Sequence, residues 1–99
     1  MRFDVCRSRS TGTLLVDCQA NHLSHLSTRF VVPLVPPADA PDASLDRLNS
    51  HLVIDGTTLV MLTQFSASIP VGDLGRRIAT LADDDHRIVT ALDTLIGTA

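Results

Sequence analysis

The sequence predicts an α+β domain: a twisted antiparallel sheet, or partly open barrel, with one helix at the C-terminus packed on it. Three observations carry this. Short runs of alternating or β-branched residues recur through the first four-fifths of the chain, separated by polar connections that contain Gly or Pro. The first of these connections is short, which implies antiparallel neighbours. Apolar residues reach helical spacing only at the end, at Ile88, Leu92, Leu95 and Ile96, behind three aspartates. Strands first and a helix last is the order of an α+β arrangement, not of alternating βαβ units.

Each element follows from its residues. Residues 2–6 alternate, with Phe3 and Val5 on one face, and residues 7–13 are a polar loop containing Gly12. In residues 14–19, Leu14, Val16 and Cys18 share one face and Leu15, Asp17 and Gln19 the other. Residues 21–27 form a polar connection carrying His22, Leu23, His25 and Leu26. Residues 29–34 are the clearest strand, rich in β-branched and aromatic side chains and bounded by Pro33, Pro36 and Pro37. The Pro-, Ala- and Asp-rich segment 35–49 reads as a long functional loop, with a short helical turn over 43–48 that packs Leu45 and Leu48 down. Residues 51–54 and 58–64 read as a hairpin about a tight Asp55-Gly56 turn. Residues 68–74 turn at Pro70 and Gly72, and 75–81 fit either a short strand or an extended edge. Asp83, Asp84 and Asp85 supply an N-cap and first-turn negative charge for the terminal helix, and Gly97 stops it.

At 99 residues the chain is expected to be a single domain over 1–99, near the lower end of what folds alone. A hydrophobic content of 44% and a mean hydropathy of +0.22 leave apolar surface for an interface. A net charge of −3 with no basic run disfavours direct nucleic-acid binding and points to a protein partner. All 8 cations are Arg and all 11 anions Asp, which reads as coding bias, yet Arg still suits interfaces through its planar fork. With no Trp or Tyr, binding cannot rest on the aromatic anchors most common at hot spots. Cys6 and Cys18 form no Cys-x-x-Cys pair, and no segment has the apolar length of a signal sequence or membrane span. A cytoplasmic protein with buried, reduced thiols is expected, even if the two cysteines fall on paired strands.

Side chains that could carry chemistry have plainer readings beside them. His22 and His25 are spaced as a metal pair would be on a helix, but they lie in a loop. The Asp83–His86 cluster is accounted for by a solvated helix start. No nucleophile motif or phosphate loop appears. RNA cleavage by general acid–base chemistry would draw on Arg29, Arg76, Arg77, His51 and Asp55, which match that chemistry in type only. Arg29 and Arg77 fit salt bridges or interface contacts equally well. The Arg76-Arg77 pair could also dock an acidic tail. No cofactor and no metal are expected.

Two paired runs stand out: Leu14-Leu15-Val16-Asp17-Cys18-Gln19 with Thr28-Arg29-Phe30-Val31-Val32-Pro33-Leu34, and Met61-Leu62-Thr63-Gln64 with Ser68-Ile69-Pro70-Val71. With Phe3, Val5, Leu74-Gly75 and Ala91-Leu92-Asp93-x-Leu95, in this order and spacing, the chain resembles the CcdB family of toxins nearly end to end. The resemblance implies an SH3-like, partly open barrel similar to that of the MazF ribonuclease toxins, assembled as a two-fold homodimer. It implies a toxin, not an enzyme, that binds the A subunit of DNA gyrase and traps the cleaved-DNA complex. A disordered CcdA-like antitoxin silences it, commonly in plasmid maintenance.

Carried over by position, the gyrase-binding residues are His22, Leu23, Asp93, Ile96, Gly97, Thr98 and Ala99, and the antitoxin-binding residues are Arg7, Arg9, Gly12 and Arg47. His22 replaces an aliphatic residue. The tail Gly97-Thr98-Ala99 departs from the family ending, with its glycine one position early and only a methyl group at the terminus. Loss of a bulky hot-spot side chain typically costs about 2–4 kcal/mol. Two alternatives follow: an antitoxin-binding, regulatory protein with weakened gyrase activity, and a MazF-like endoribonuclease.

Overall fold

The computed structural model describes residues 1–40 and 47–97. Among these residues, seven strands form one antiparallel sheet: β1 Asp4–Ser8, β2 Leu14–Asp17, β3 Thr28–Val35, β4 His51–Ile54, β5 Thr57–Met61, β6 Ala67–Pro70 and β7 Leu74–Thr80. A single helix, α1 (Asp85–Ile96), follows among the described residues. The order across the sheet is β4-β5-β3-β2-β1-β7, with β6 also paired to β3. The sheet curls into a half-barrel, so the architecture is the expected α+β one.

β3 is long because its β-branched run can serve several neighbours. One edge pairs with β2, from Leu14↔Leu34 to Asp17↔Val31. Along the other edge, Leu34 and Val35 pair with β5, and residues 28–31 pair with β6. A 3-10 turn at Thr63–Phe65 separates β5 from β6, so the two short strands follow one another along β3. Two register shifts between β1 and β7 bend that edge. At the bend, Gly75 passes so close to β1 that a Cβ there would lie 2.7 Å from the Arg7 carbonyl oxygen.

The core lies between α1 and one face of the sheet. Ile88 and Ala91 of α1 are fully buried in a cluster with Phe3, Val5, Val16, Val32, Leu34, Leu52 and Met61. This arrangement also decides the cysteine question. Cys18 joins that core cluster, whereas Cys6 pairs with Leu15 in the opposite alternation phase. Both thiols are buried and free, on opposite faces of the sheet.

Several boundaries differ from expectation. β1 begins at Asp4, because Phe3 takes a left-handed conformation (φ 69°). The strand after Gly56 stops at Met61, not at Gln64, because Thr63 turns inward and its hydroxyl donates to the Leu48 carbonyl. Of the 75–81 segment, all but Leu81 is strand, within β7. Asp84, at the N-cap of α1, makes no side-chain cap bond, whereas Asp85 supplies the expected first-turn charge and its Oδ1 accepts the His86 N–H at 2.7 Å. The chain enters through a 3-10 turn at Ala82–Asp84, and Asp85 is already helical. Gly97 does end the helix, but in extended backbone; a Cβ there would collide with the Asp93 carbonyl. The Asp55-Gly56 turn is as expected, with both residues at positive φ (50° and 80°). The helical turn over 43–48, with Leu45, falls mostly outside the described residues.

Candidate functional site

The 20–27 loop between β2 and β3 carries His22 and Leu23. It contains one 3-10 turn, Asn21–Leu23, and buries none of the side chains in that turn. Leu23 and Leu26 are 36% and 41% exposed. Polar groups from the sheet hold the loop. Arg29 Nη2 donates to the Ser24 carbonyl at 2.8 Å, and Nη1 donates to the Leu26 and Thr28 carbonyls at 3.3 Å each. Gln19 Nε2 donates to the Leu23 carbonyl at 2.8 Å, while its Oε1 accepts the Phe30 N–H at 3.0 Å. Beneath them, Asp17 accepts the Gln19 N–H at 3.0 Å and faces Arg29 Nε at 3.7 Å. Burial pushes the Asp17 carboxyl above its ordinary value, against the lowering effect of the Gln19 N–H and the Arg29 charge.

The second group of expected contacts lies at the end of α1. Asp93 is on the last turn, where its carbonyl accepts the Gly97 N–H at 2.6 Å. Leu95 and Ile96 are 40% and 76% exposed, so the helix ends in an apolar patch. Thr98 and Ala99 lie outside the described residues. No hydrogen bond or ion pair among the described residues joins the helix end to the 20–27 loop.

The expected antitoxin contacts divide between two places. Arg7 and Gly12 come together: Arg7 Nη1 donates to the Gly12 carbonyl at 3.0 Å. Both line a cavity of about 400 Å³ whose apolar walls include Leu14, Leu34 and Leu59. Arg47 lines a different cavity, about 310 Å³, with His86 and Arg87. Arg9 lies on the 9–13 loop, which Asp73 anchors. Asp73 accepts Ser8 Oγ at 2.7 Å, the Ser10 N–H at 2.8 Å and Ser10 Oγ at 3.1 Å, and its carbonyl accepts the Arg9 N–H at 2.8 Å. Those hydroxyl bonds hold the Asp73 carboxyl below its ordinary value. Sequence reasoning misses Asp73. Its partners are 63 and 65 residues away, and nothing local marks it.

The residues suited in type to RNA cleavage sit on different elements: Arg29 on β3, His51 on β4, Asp55 in the turn after it, and Arg76 and Arg77 on β7. Arg29 is engaged with loop carbonyls, and Arg77 faces Asp4 at 3.7 Å. No hydrogen bond or ion pair among the described residues links any two of Arg29, Arg76, Arg77, His51 and Asp55. Burial, reinforced by the Asp17 charge, pushes the Cys18 thiol up to about 12, and burial raises Cys6 as well. Neither forms a thiolate near neutral pH. Among the described residues, no three His, Cys, Asp or Glu side chains are placed to hold a metal, and no helix is long and apolar enough to cross a membrane.

The family model described as CcdB protein matches residues 2–97 of this chain. The chain belongs to the CcdB family. As a CcdB-family member it is a toxin of the toxin–antitoxin type, and an antitoxin is its implied partner. None of the curated protein sequences compared matches significantly. Among solved structures, the Mycobacterium tuberculosis toxin MazF-mt6 is similar in fold, with a TM-score of 0.67 and 20% identity over 92% of this chain and 93% of that one. A second structure, described as an Mtb toxin, has a TM-score of 0.66 and 20% identity over 91% of this chain and 97% of that one. At that identity the likeness is one of fold.

Proposed function

We propose that this CcdB-family protein poisons DNA gyrase. Two copies form a two-fold dimer that binds the gyrase A dimer and holds the cleaved-DNA complex open. The observation that carries this reading is the family match, which spans all but three residues of the chain. The exposed apolar C-terminal end of α1, with the loop carrying Leu23, gives it a surface of suitable character. The toxin performs no bond chemistry. It selects a minor, open state of gyrase and stabilises only that state.

A CcdA-like antitoxin silences the dimer. The cavity beside Arg7 and Gly12 suits an acidic, amphipathic segment, because it combines one guanidinium with aliphatic walls. Such a segment orders on binding. The protein works in the cytoplasm and does not contact nucleic acid by itself.

The deciding experiment is a cleavage assay with purified protein and gyrase from the same source, scored for linear plasmid that survives denaturant quenching. Linear DNA is the expected result. Its absence, with a control poison active on the same gyrase, would favour the antitoxin-binding, regulatory role. The shared fold with MazF-type toxins makes an RNA substrate arm worthwhile in the same experiment. RNA cut without gyrase would replace the gyrase reading with an endoribonuclease one.

A further inference from the structure

We propose that Arg29, with Gln19 and Asp17, is a positioning device that presets the 20–27 loop in its partner-binding shape. The partner named here rests on the gyrase reading above; the device itself rests on the loop's geometry. A segment without buried apolar anchors, held only by turn hydrogen bonds, ordinarily samples many conformations. This loop has three such bonds: Leu23 N–H to Ala20, Ser24 N–H to Asn21 and Leu26 N–H to Leu23. Near its two ends, Asn21 Oδ1 accepts the Arg2 N–H at 2.8 Å and the Ser27 carbonyl accepts the Val71 N–H at 2.9 Å; between them, Gln19 and Arg29 hold the loop.

Three loop carbonyls, those of Leu23, Ser24 and Leu26, accept from Gln19 or Arg29. Arg29 is well placed for this because its planar fork offers several donors at fixed angles, which a lysine ammonium does not. Its own side chain is largely buried, and Asp17 lies behind it at 3.7 Å. The Gln19 amide is fixed at both ends, between the loop and the Phe30 N–H. The inward carbonyls are therefore satisfied from below while Leu23 and Leu26 stay exposed. The conformational cost of ordering the loop is met on folding, so less is lost when a partner binds.

Arg29→Lys keeps the charge facing Asp17 but removes the fork. Amide hydrogen exchange at Leu23, Ser24 and Leu26 is compared with exchange in β2 and β3, alongside gyrase poisoning and antitoxin affinity. We expect loop exchange and the concentration needed for poisoning each to rise about tenfold, with strand protection and antitoxin affinity unchanged, as loss of preorganisation predicts. Unchanged loop exchange would overturn the brace. Faster exchange with undiminished poisoning would overturn its role in positioning. If Arg29→Lys fails to fold, Gln19→Met removes the Leu23 link together with the acceptor of the Phe30 N–H, and is read by the same criteria with the Phe30 amide left out of the strand comparison. A wild-type protein that leaves no linear DNA would end the gyrase reading alone, and the exchange comparison would still decide the brace.

Discussion

At the scale of single residues, Gly75 and the cysteines make the sharpest statements. Gly75 lets β7 approach β1 where a Cβ would meet a backbone oxygen at 2.7 Å, and a backbone atom cannot swing away. Gly75→Ala is expected to destabilise the fold by about 1–3 kcal/mol, the usual cost of overpacking, read as a lower midpoint in thermal unfolding. Both thiols should resist a disulfide-exchange reagent at pH 8 in the native protein and react only after denaturation. Fast reaction of the native protein would contradict the burial that raises their pKa values. Asp73 gives a pH signature. Its folded-state carboxyl is held below the ordinary value, so its contribution to stability is present above the unfolded value and is lost as pH falls through the folded one. The Ser10 amide resonance, which reports the bond to Asp73, should therefore titrate with a midpoint below about 3.9, the ordinary Asp value.

At the scale of elements, α1 is held by packing more than by its ends. Asp84 at its N-cap makes no side-chain cap bond, Asp85 Oδ1 accepts the His86 N–H of the first turn at 2.7 Å, and its last turn is closed by the Gly97 N–H to Asp93 bond. Ile88 and Ala91 are its fully buried contacts with the sheet. Ile88→Ala is expected to cost about 2–5 kcal/mol through lost burial and a residual cavity, whereas replacing Asp84 with Ala should cost far less. Denaturant unfolding of the two variants compares packing with capping directly; equal losses would contradict this account. The 9–13 loop illustrates the same balance in polar form, since Asp73, just before β7, anchors it through Ser8 and Ser10.

At the scale of the whole molecule, the proposed mechanism requires two copies. Light scattering at micromolar concentration should give the mass of a dimer; a monomer would remove the two-fold wedge. Ile96→Asp places a charge on the most exposed aliphatic side chain of the helix end. It is expected to abolish linear-DNA accumulation with gyrase while leaving the thermal midpoint nearly unchanged, because the residue makes little core contact. Antitoxin binding measured on the same variant separates the two partner surfaces.

The sequence by itself determined the class and the order of elements, because period-2 and period-3.6 patterning are local properties. The Asp55-Gly56 turn, the β3 run from Thr28 and the helix around Ile88 were legible for that reason, as was the family pattern from Phe3 to Leu95. Strand ends at Asp4 and Met61 were not, because a left-handed Phe3 and the inward Thr63 hydroxyl depend on distant partners. Asp17, Gln19 and Arg29 could be recognised as family residues, yet their joint hold on the 20–27 loop emerges only when β2 and β3 are paired. Tertiary structure alone decided that Cys6 and Cys18 lie on opposite faces, that Asp73 reaches Ser8 and Ser10, and that Arg7 and Arg47 line different cavities. The physical reason is common to all of these: hydrogen bonds and packing across the sheet join residues that no local pattern connects.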